Sequence, residues 1–301
     1  MRQLSLVVTC TDRKSVVPEA ALHARSLPEG PVRERSALWK ERVAQAASTD
    51  KTRTRPLTDL YRGDHWTQSK RLLQWAEKAH FNAELWVASA GLGLQPVSAP
   101  APAYAATFST RHADSVATST ASSAEWWSHL QADSGRTTLE DLGKRGPVLM
   151  VLSEVYARAM GAELRALGAL ATEALLIGGD EEIAGIQRVA SDAGLRGALG
   201  GTLTSLNVRM AASWLQHCED RSLTSAATSN SWHQWAVGVS KPERHNREPM
   251  SDEEVIAFIK RGIASAPGTS RTRLLRALRD SGRACEQSRF AGLFNRTMGN
   301  Q

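Results

Sequence analysis

The sequence predicts an α/β fold: a mostly parallel central sheet flanked by helices, followed by a small all-helical C-terminal module. Three observations carry this. Short apolar runs recur at Leu4–Thr9, Ala83–Ala88, Val148–Leu152 and Ala174–Ile177. Between them lie stretches with helical spacing, such as Thr67–Ala79, where Leu72, Leu73, Trp75 and Ala76 recur on one face. From Ser251 onward the pattern becomes purely helical and strongly basic.

The first run, Leu4–Val8, is short, apolar and rich in valine, and it stops at Cys10-Thr11-Asp12-Arg13-Lys14. Ligands of α/β sheets bind just beyond the carboxyl ends of the strands. A thiol, a carboxylate and two cations there form a candidate site; a solvated loop after a core strand is the alternative. Tyr156–Leu170 and Glu181–Ala193 also carry helical spacing, while 97–104 and 112–124 are rich in Pro, Ala, Ser and Thr and read as loops. Residues 1–220 are therefore expected to form the α/β domain and 221–250 an irregular connector.

Ser251-Asp-Glu-Glu254 is a capping box opening a helix through Val255, Ile256, Phe258 and Ile259. After the break at Pro267-Gly268, Ser270 starts a second helix, with Leu274, Leu275 and Leu278 facing inward. A third helix, expected from Ala284 to Arg296, follows the turn at Asp280-Ser-Gly282. Residues 251–301 thus have helix-turn-helix form, with Arg271, Arg273, Arg283 and Arg289 on outward faces as candidate phosphate contacts. A basic three-helix cap with no nucleic-acid role is the bland alternative.

Charge distribution says more than total charge. The 301 residues sum to +6, yet from Lys260 onward nine cations face only Asp280 and Glu286, leaving the rest of the chain near neutral. Such a patch is the footprint of a polyanion binder. Three widely spaced cysteines (Cys10, Cys218, Cys285) suggest neither disulfides nor a metal site. There is no secretory signal pattern, and no apolar run reaches the ~18 residues of a membrane span. A cytoplasmic protein with no metal, no cofactor and no membrane partner is expected.

Further polar groups follow the other runs. Ser89 and Gly91 lie in "ELWVASAGLGL", where backbone can approach a ligand closely. In "LGGTLTSLNVRMAASWL", Gly200-Gly201 followed by Thr202, Thr204 and Ser205 precede a helix and read as an anion cradle or as an ordinary N-cap. Asn207 and Arg209 sit on that helix's first turns. The segment "DLYRGDHWTQSKRL" mixes Tyr61, His65 and Trp66 with Arg62, Lys70 and Arg71, a pattern suited to base stacking or to an amphipathic helix.

Three segments together resemble the YaaA-like proteins. They are Cys10 with Lys14, Asp59-Leu60-Tyr61-Arg62-Gly63, and Ser89-Ala90-Gly91-Leu92-Gly93-Leu94, followed by Pro102 and Tyr104. The resemblance spans roughly the first 110 residues. It departs at Ala90-Gly91-Leu92-Gly93, where that family often has Ala-Lys-Tyr-Gly, and in an insertion from about residue 20 to 55. The order of elements also resembles the uracil-DNA-glycosylase superfamily, and the chain is similar to bacterial anti-phage DNA glycosylases.

That resemblance implies a monofunctional DNA glycosylase. It would hydrolyse the N-glycosidic bond of a modified cytosine, such as glucosylated 5-hydroxymethylcytosine, in phage DNA flipped from the helix. Asp12 would activate water, and Lys14 would contact phosphate or form a Schiff base. Cys10, Tyr61, Ser89, Gly91 and Asn207 would hold the base; Arg62, Gly201, Thr202, Ser205 and Arg209 would hold phosphates. A 7-deazaguanine-related base-exchange enzyme and a non-enzymatic DNA-binding stress protein are the rival expectations.

Overall fold

The apolar run after Met1 extends as strand β1 (Arg2–Thr9), with Leu4, Leu6, Val7 and Val8 wholly shielded from solvent. Five further strands join it in the computed structural model, which describes residues 1–49, 53–170, 172–241 and 248–299. They are β2 (Phe81–Ser89), β3 (Gly93–Pro96), β4 (Val148–Leu152), β5 (Ala174–Gly178) and β6 (Gln187–Val189). The order across the sheet is β3-β2-β1-β4-β5-β6, and every pair is parallel except the β2–β3 hairpin. Both β4 and β5 are buried throughout. Central parallel strands require this, which is why they read as unbroken apolar runs.

Register brings the carboxyl ends level. Thr9 pairs with Ala88, Val8 with Val151, and Leu152 with Gly178. The chain first winds from β1 to β2 on one side and later places β4 on the other, so the winding reverses at β1. Beyond the strand ends at such a reversal lies the crevice where α/β proteins bind ligands.

Helix Asp64–Lys78 turns Trp66, Ser69, Leu72 and Ala76 inward, and it packs on the sheet and on helix Leu206–Gln216. A second group of helices, Val32–Thr49, Thr120–Gln131 and Glu154–Ala159, packs together and buries Trp39, Trp126, Trp127 and Tyr156. Most of the tryptophans are thus core residues.

Several regions differ from the sequence expectation: β3 was not expected, and residues 120–124, read as loop, open helix Thr120–Gln131. Glu181–Ala193 is not a helix. Gly185 adopts a left-handed φ of +79° and turns the chain into edge strand β6, which is anchored by Arg188 donating to the carbonyls of Gly178 and Gly179. The expected connector is largely ordered as well. Ser225 accepts from the Thr228 amide to start helix Ala226–Val239, which packs Trp232 on Trp214 with ring centroids 5.2 Å apart. The α/β unit therefore runs from Met1 to Lys241. Of the expected connector, residues 242–247 lie outside the described residues.

The second unit comprises helices Asp252–Ser265, Arg271–Asp280 and Gln287–Gly299 around Val255, Ile259, Leu278, Phe290 and Leu293. The Ser251–Glu254 capping box forms as the sequence dictates. The third helix begins at Gln287 because Arg283–Ala284 instead pairs in parallel with Glu248–Pro249. No described helix is long and apolar enough to cross a membrane.

Candidate active-site cleft

A cleft of about 460 Å³ opens beyond the end of β1. Three stretches line it: Thr9–Arg13, Arg62–His65, and Thr202 with Thr204. Backbone bonds fix the first two together: the Arg62 amide donates to the Arg13 carbonyl at 2.9 Å, and the Ser15 amide to the Leu60 carbonyl at 2.7 Å. Asp12 is exposed in this cleft, and among the described residues its carboxylate takes part in no hydrogen bond or ion pair.

Helix Asp64–Lys78 starts at the cleft wall behind Gly63. Asp64 there accepts from Arg209 at 2.9 and 3.1 Å. The Ser205 hydroxyl first, and the Arg209 guanidinium after it, hold the Asp64 carboxyl below its ordinary range. Beside it, His65 Nε2 lies 3.2 Å from the Thr9 carbonyl. A carbonyl only accepts, so Nε2 donates to it, and buried Nδ1 has no hydrogen-bond partner within bonding distance among the described residues. Burial holds this imidazole below its usual value and thus neutral.

Behind the cleft all three tyrosines of the chain converge. The Tyr61 and Tyr104 hydroxyls are 2.6 Å apart, and Tyr104 is 2.5 Å from Ser89 Oγ. Ser89 Oγ in turn accepts from the Gly91 and Leu92 amides at 3.1 Å each. Across the winding reversal, the Tyr156 hydroxyl meets Cys10 Sγ at 3.1 Å. Burial chiefly, and then the nearness of Cys10, pushes all three phenols well above their ordinary value, so they stay protonated.

Of the residues singled out from the sequence, the cleft gathers Cys10, Asp12, Arg62 and Thr202. Tyr61 and Ser89 are wholly buried, so neither is presented to a base. Gly91 is buried against the Tyr104 ring and Trp39; its carbonyl accepts from Trp39 Nε1 at 2.7 Å, so its lack of a side chain serves packing. Asn207 bridges β4 to Ser191: it accepts from the Ser191 hydroxyl at 2.5 Å and donates to the Leu152 carbonyl at 3.4 Å. Gly201, Ser205 and Arg209 form one brace, with Arg209 packed over Gly201 and donating to the Leu199 carbonyl. The expected anion cradle is thus filled by the protein's own guanidinium.

In the second unit, Arg283 donates to Glu248 and Arg289 to Asp252, whereas Arg271 and Arg273 are exposed outside these pairs. The sequence reading gave no part to Asp64 and Tyr156, and none to His65 and Tyr104 beyond a stacking pattern and a family motif. The rarity of tyrosine was the available signal for two of them. No group of three or more His, Cys, Asp or Glu among the described residues is placed to hold a metal. Compared with protein-family profiles, curated proteins and solved structures, the chain gives no match.

Proposed function

We propose that this protein is a DNA glycosylase that hydrolyses the N-glycosidic bond of a modified base, with Asp12 as the water-activating carboxylate. One observation carries the reading: an unpaired, solvent-facing carboxylate shares a cleft with Arg13, Arg62 and the hydroxyls of Thr202 and Thr204. Breaking the glycosidic bond builds positive charge on the sugar, which a nearby carboxylate stabilises while it orients or deprotonates water. The two guanidiniums suit the flanking phosphates. The cleft volume falls in the ~300–1,000 Å³ range of small-molecule sites, so it accommodates one extruded nucleotide.

The exposed arginines of helix Arg271–Asp280 support a second, sequence-independent hold on the DNA backbone. Likeness to the uracil-DNA-glycosylase architecture, a helix-turn-helix role for the C-terminal unit, and phage DNA carrying glucosylated 5-hydroxymethylcytosine as substrate all belong to this proposal.

The test is release of free base. Wild-type protein and Asp12→Asn are incubated with hypermodified phage DNA and with unmodified DNA, and the small-molecule fraction is read by mass spectrometry. The wild type should release modified base and leave alkali-labile sites, while Asp12→Asn loses about 10²- to 10⁴-fold in rate. Because the Asp12 carboxylate is exposed and unpaired, the variant should keep wild-type folding and DNA affinity. Tight binding with no base released from any DNA would overturn the reading in favour of a DNA-binding protein.

A further inference from the structure

Lys14 sits two residues beyond Asp12, yet it is absent from the lining of the cleft. Its side chain turns under its own loop. Nζ donates to the Thr11 carbonyl at 2.8 Å and to the Asp12 carbonyl at 3.2 Å. It also lies 4.5 Å from the centre of the Tyr104 ring and 5.6 Å from that of Tyr61. An ammonium has three N–H donors and no lone pair. Two carbonyls and an aromatic face use all three.

The surface under Lys14 is rigid. The Lys14 backbone forms an antiparallel bridge with Tyr61, whose hydroxyl begins the Tyr61–Tyr104–Ser89 chain that ends on the amides of Gly91 and Leu92. Tyr61, Tyr104 and Ser89 are each fully buried. The turn bearing Asp12 is therefore tied through Lys14 to the end of β2.

We propose that Lys14 is a positioning residue that clamps the Thr11–Asp12 peptide and so fixes the Asp12 carboxylate in the cleft; it neither contacts DNA phosphate nor bonds covalently to the substrate. The inference rests on the glycosylase reading for what Asp12 does. A Schiff-base lysine must reach the sugar carbon; burial holds the Lys14 ammonium below its ordinary range, but Nζ is turned onto the Thr11 and Asp12 carbonyls and away from the cleft, so it has no access to the substrate. Loss of the clamp lets the carboxylate wander by an ångström or so, a displacement worth about 10²-fold in rate.

Three measurements test this. Sodium borohydride added during turnover should trap no protein–DNA adduct with the wild type. Lys14→Met should lower kcat about 10²-fold with KM nearly unchanged, and should add no further loss in an Asp12→Asn background. Reductive methylation of the wild type, followed by peptide mass spectrometry, should modify Lys14 far more slowly than exposed Lys70. A trapped adduct, a Lys14→Met variant that loses affinity but keeps kcat, or methylation of Lys14 as fast as Lys70 would each overturn the proposal. The trapping and methylation arms need no variant, so a Lys14→Met protein that fails to fold does not block the test. If the wild type releases no base, the glycosylase reading falls, and methylation alone decides whether Lys14 is clamped.

Discussion

Arg209 donates to both carboxylate oxygens of Asp64, 145 positions away in sequence, at 2.9 and 3.1 Å, joining the first turns of two helices. The same guanidinium packs over Gly201 and bonds the Leu199 carbonyl, so one side chain holds the 199–205 loop against the wall of the cleft. Arg209 reads from sequence as a phosphate ligand. The structure employs it as a brace.

That brace has a pH signature. The Ser205 hydroxyl, and Arg209 after it, hold the Asp64 carboxyl below its unfolded value, so the interaction stabilises the fold above that value and is lost as pH falls through the folded one. Asp64→Asn should destabilise the protein at neutral pH by about 0.2–1 kcal/mol, since the carboxylate is well exposed. Urea titrations should show the difference shrinking below about pH 4, the ordinary carboxylate range. A difference that persists unchanged at pH 3 would show that the charge is not what matters.

The buried hydroxyl chain predicts an order of effects. Tyr104 sits between Tyr61 and Ser89, so Tyr104→Phe takes from the buried Tyr61 hydroxyl its 2.6 Å partner. It should cost about 1–3 kcal/mol. Tyr61→Phe leaves Tyr104 still bonded to Ser89 and should cost less. Equal losses in denaturant midpoints, or a larger loss for Tyr61→Phe, would contradict the arrangement.

Gly91 tests the difference between packing and binding. A methyl group there would stand 2.5 Å from two carbons of the Tyr104 ring and 3.3 Å from Trp39. Gly91→Ala should therefore destabilise by about 1–3 kcal/mol, as overpacking does. A glycine needed only for close approach of a ligand would leave the melting temperature of the free protein unchanged.

The two sets of arginines in the C-terminal unit should behave differently on DNA. Replacing exposed Arg271 and Arg273 with Gln should weaken binding uniformly across sequences. It should also flatten the plot of log affinity against log salt by about one for each phosphate no longer neutralised. Arg283 and Arg289 are occupied by Glu248 and Asp252, and their replacement should change that slope less. Fluorescence anisotropy over a salt series reads both; equal slopes for the two pairs would overturn the distinction.

Much of this architecture was legible. Leu4–Thr9, Val148–Leu152 and Ala174–Ile177 announce buried parallel strands because strands covered on both faces are built mostly of apolar side chains. The Ser251–Glu254 capping box announces a helix start because its hydrogen bonds are local. The edge strands β3 and β6 were missed because each is short and set by its neighbours: β3 by a hairpin, β6 by the left-handed turn at Gly185 and the reach of Arg188. Helix Ala226–Val239 was missed because its polar residues mask an apolar contact of Trp232 with Trp214 that exists only after folding.

By itself, then, the sequence determined where the four central strands and the capped helix after Ser251 fall, that Cys10 and Asp12 stand at a strand's carboxyl end, and that the positive charge gathers after Lys260. Those features depend on periodicity, local hydrogen bonds and composition, which a linear chain displays. Only the tertiary structure decided which polar groups face solvent and which face each other. It left Asp12 open to the cleft, buried Tyr61 and Ser89 with Tyr104, and turned Lys14 and Arg209 inward onto carbonyls and a carboxylate. The reason is physical: a charged or hydroxyl-bearing side chain has the same identity whether its partner is a ligand or the protein, and its partner is chosen by residues far away in sequence.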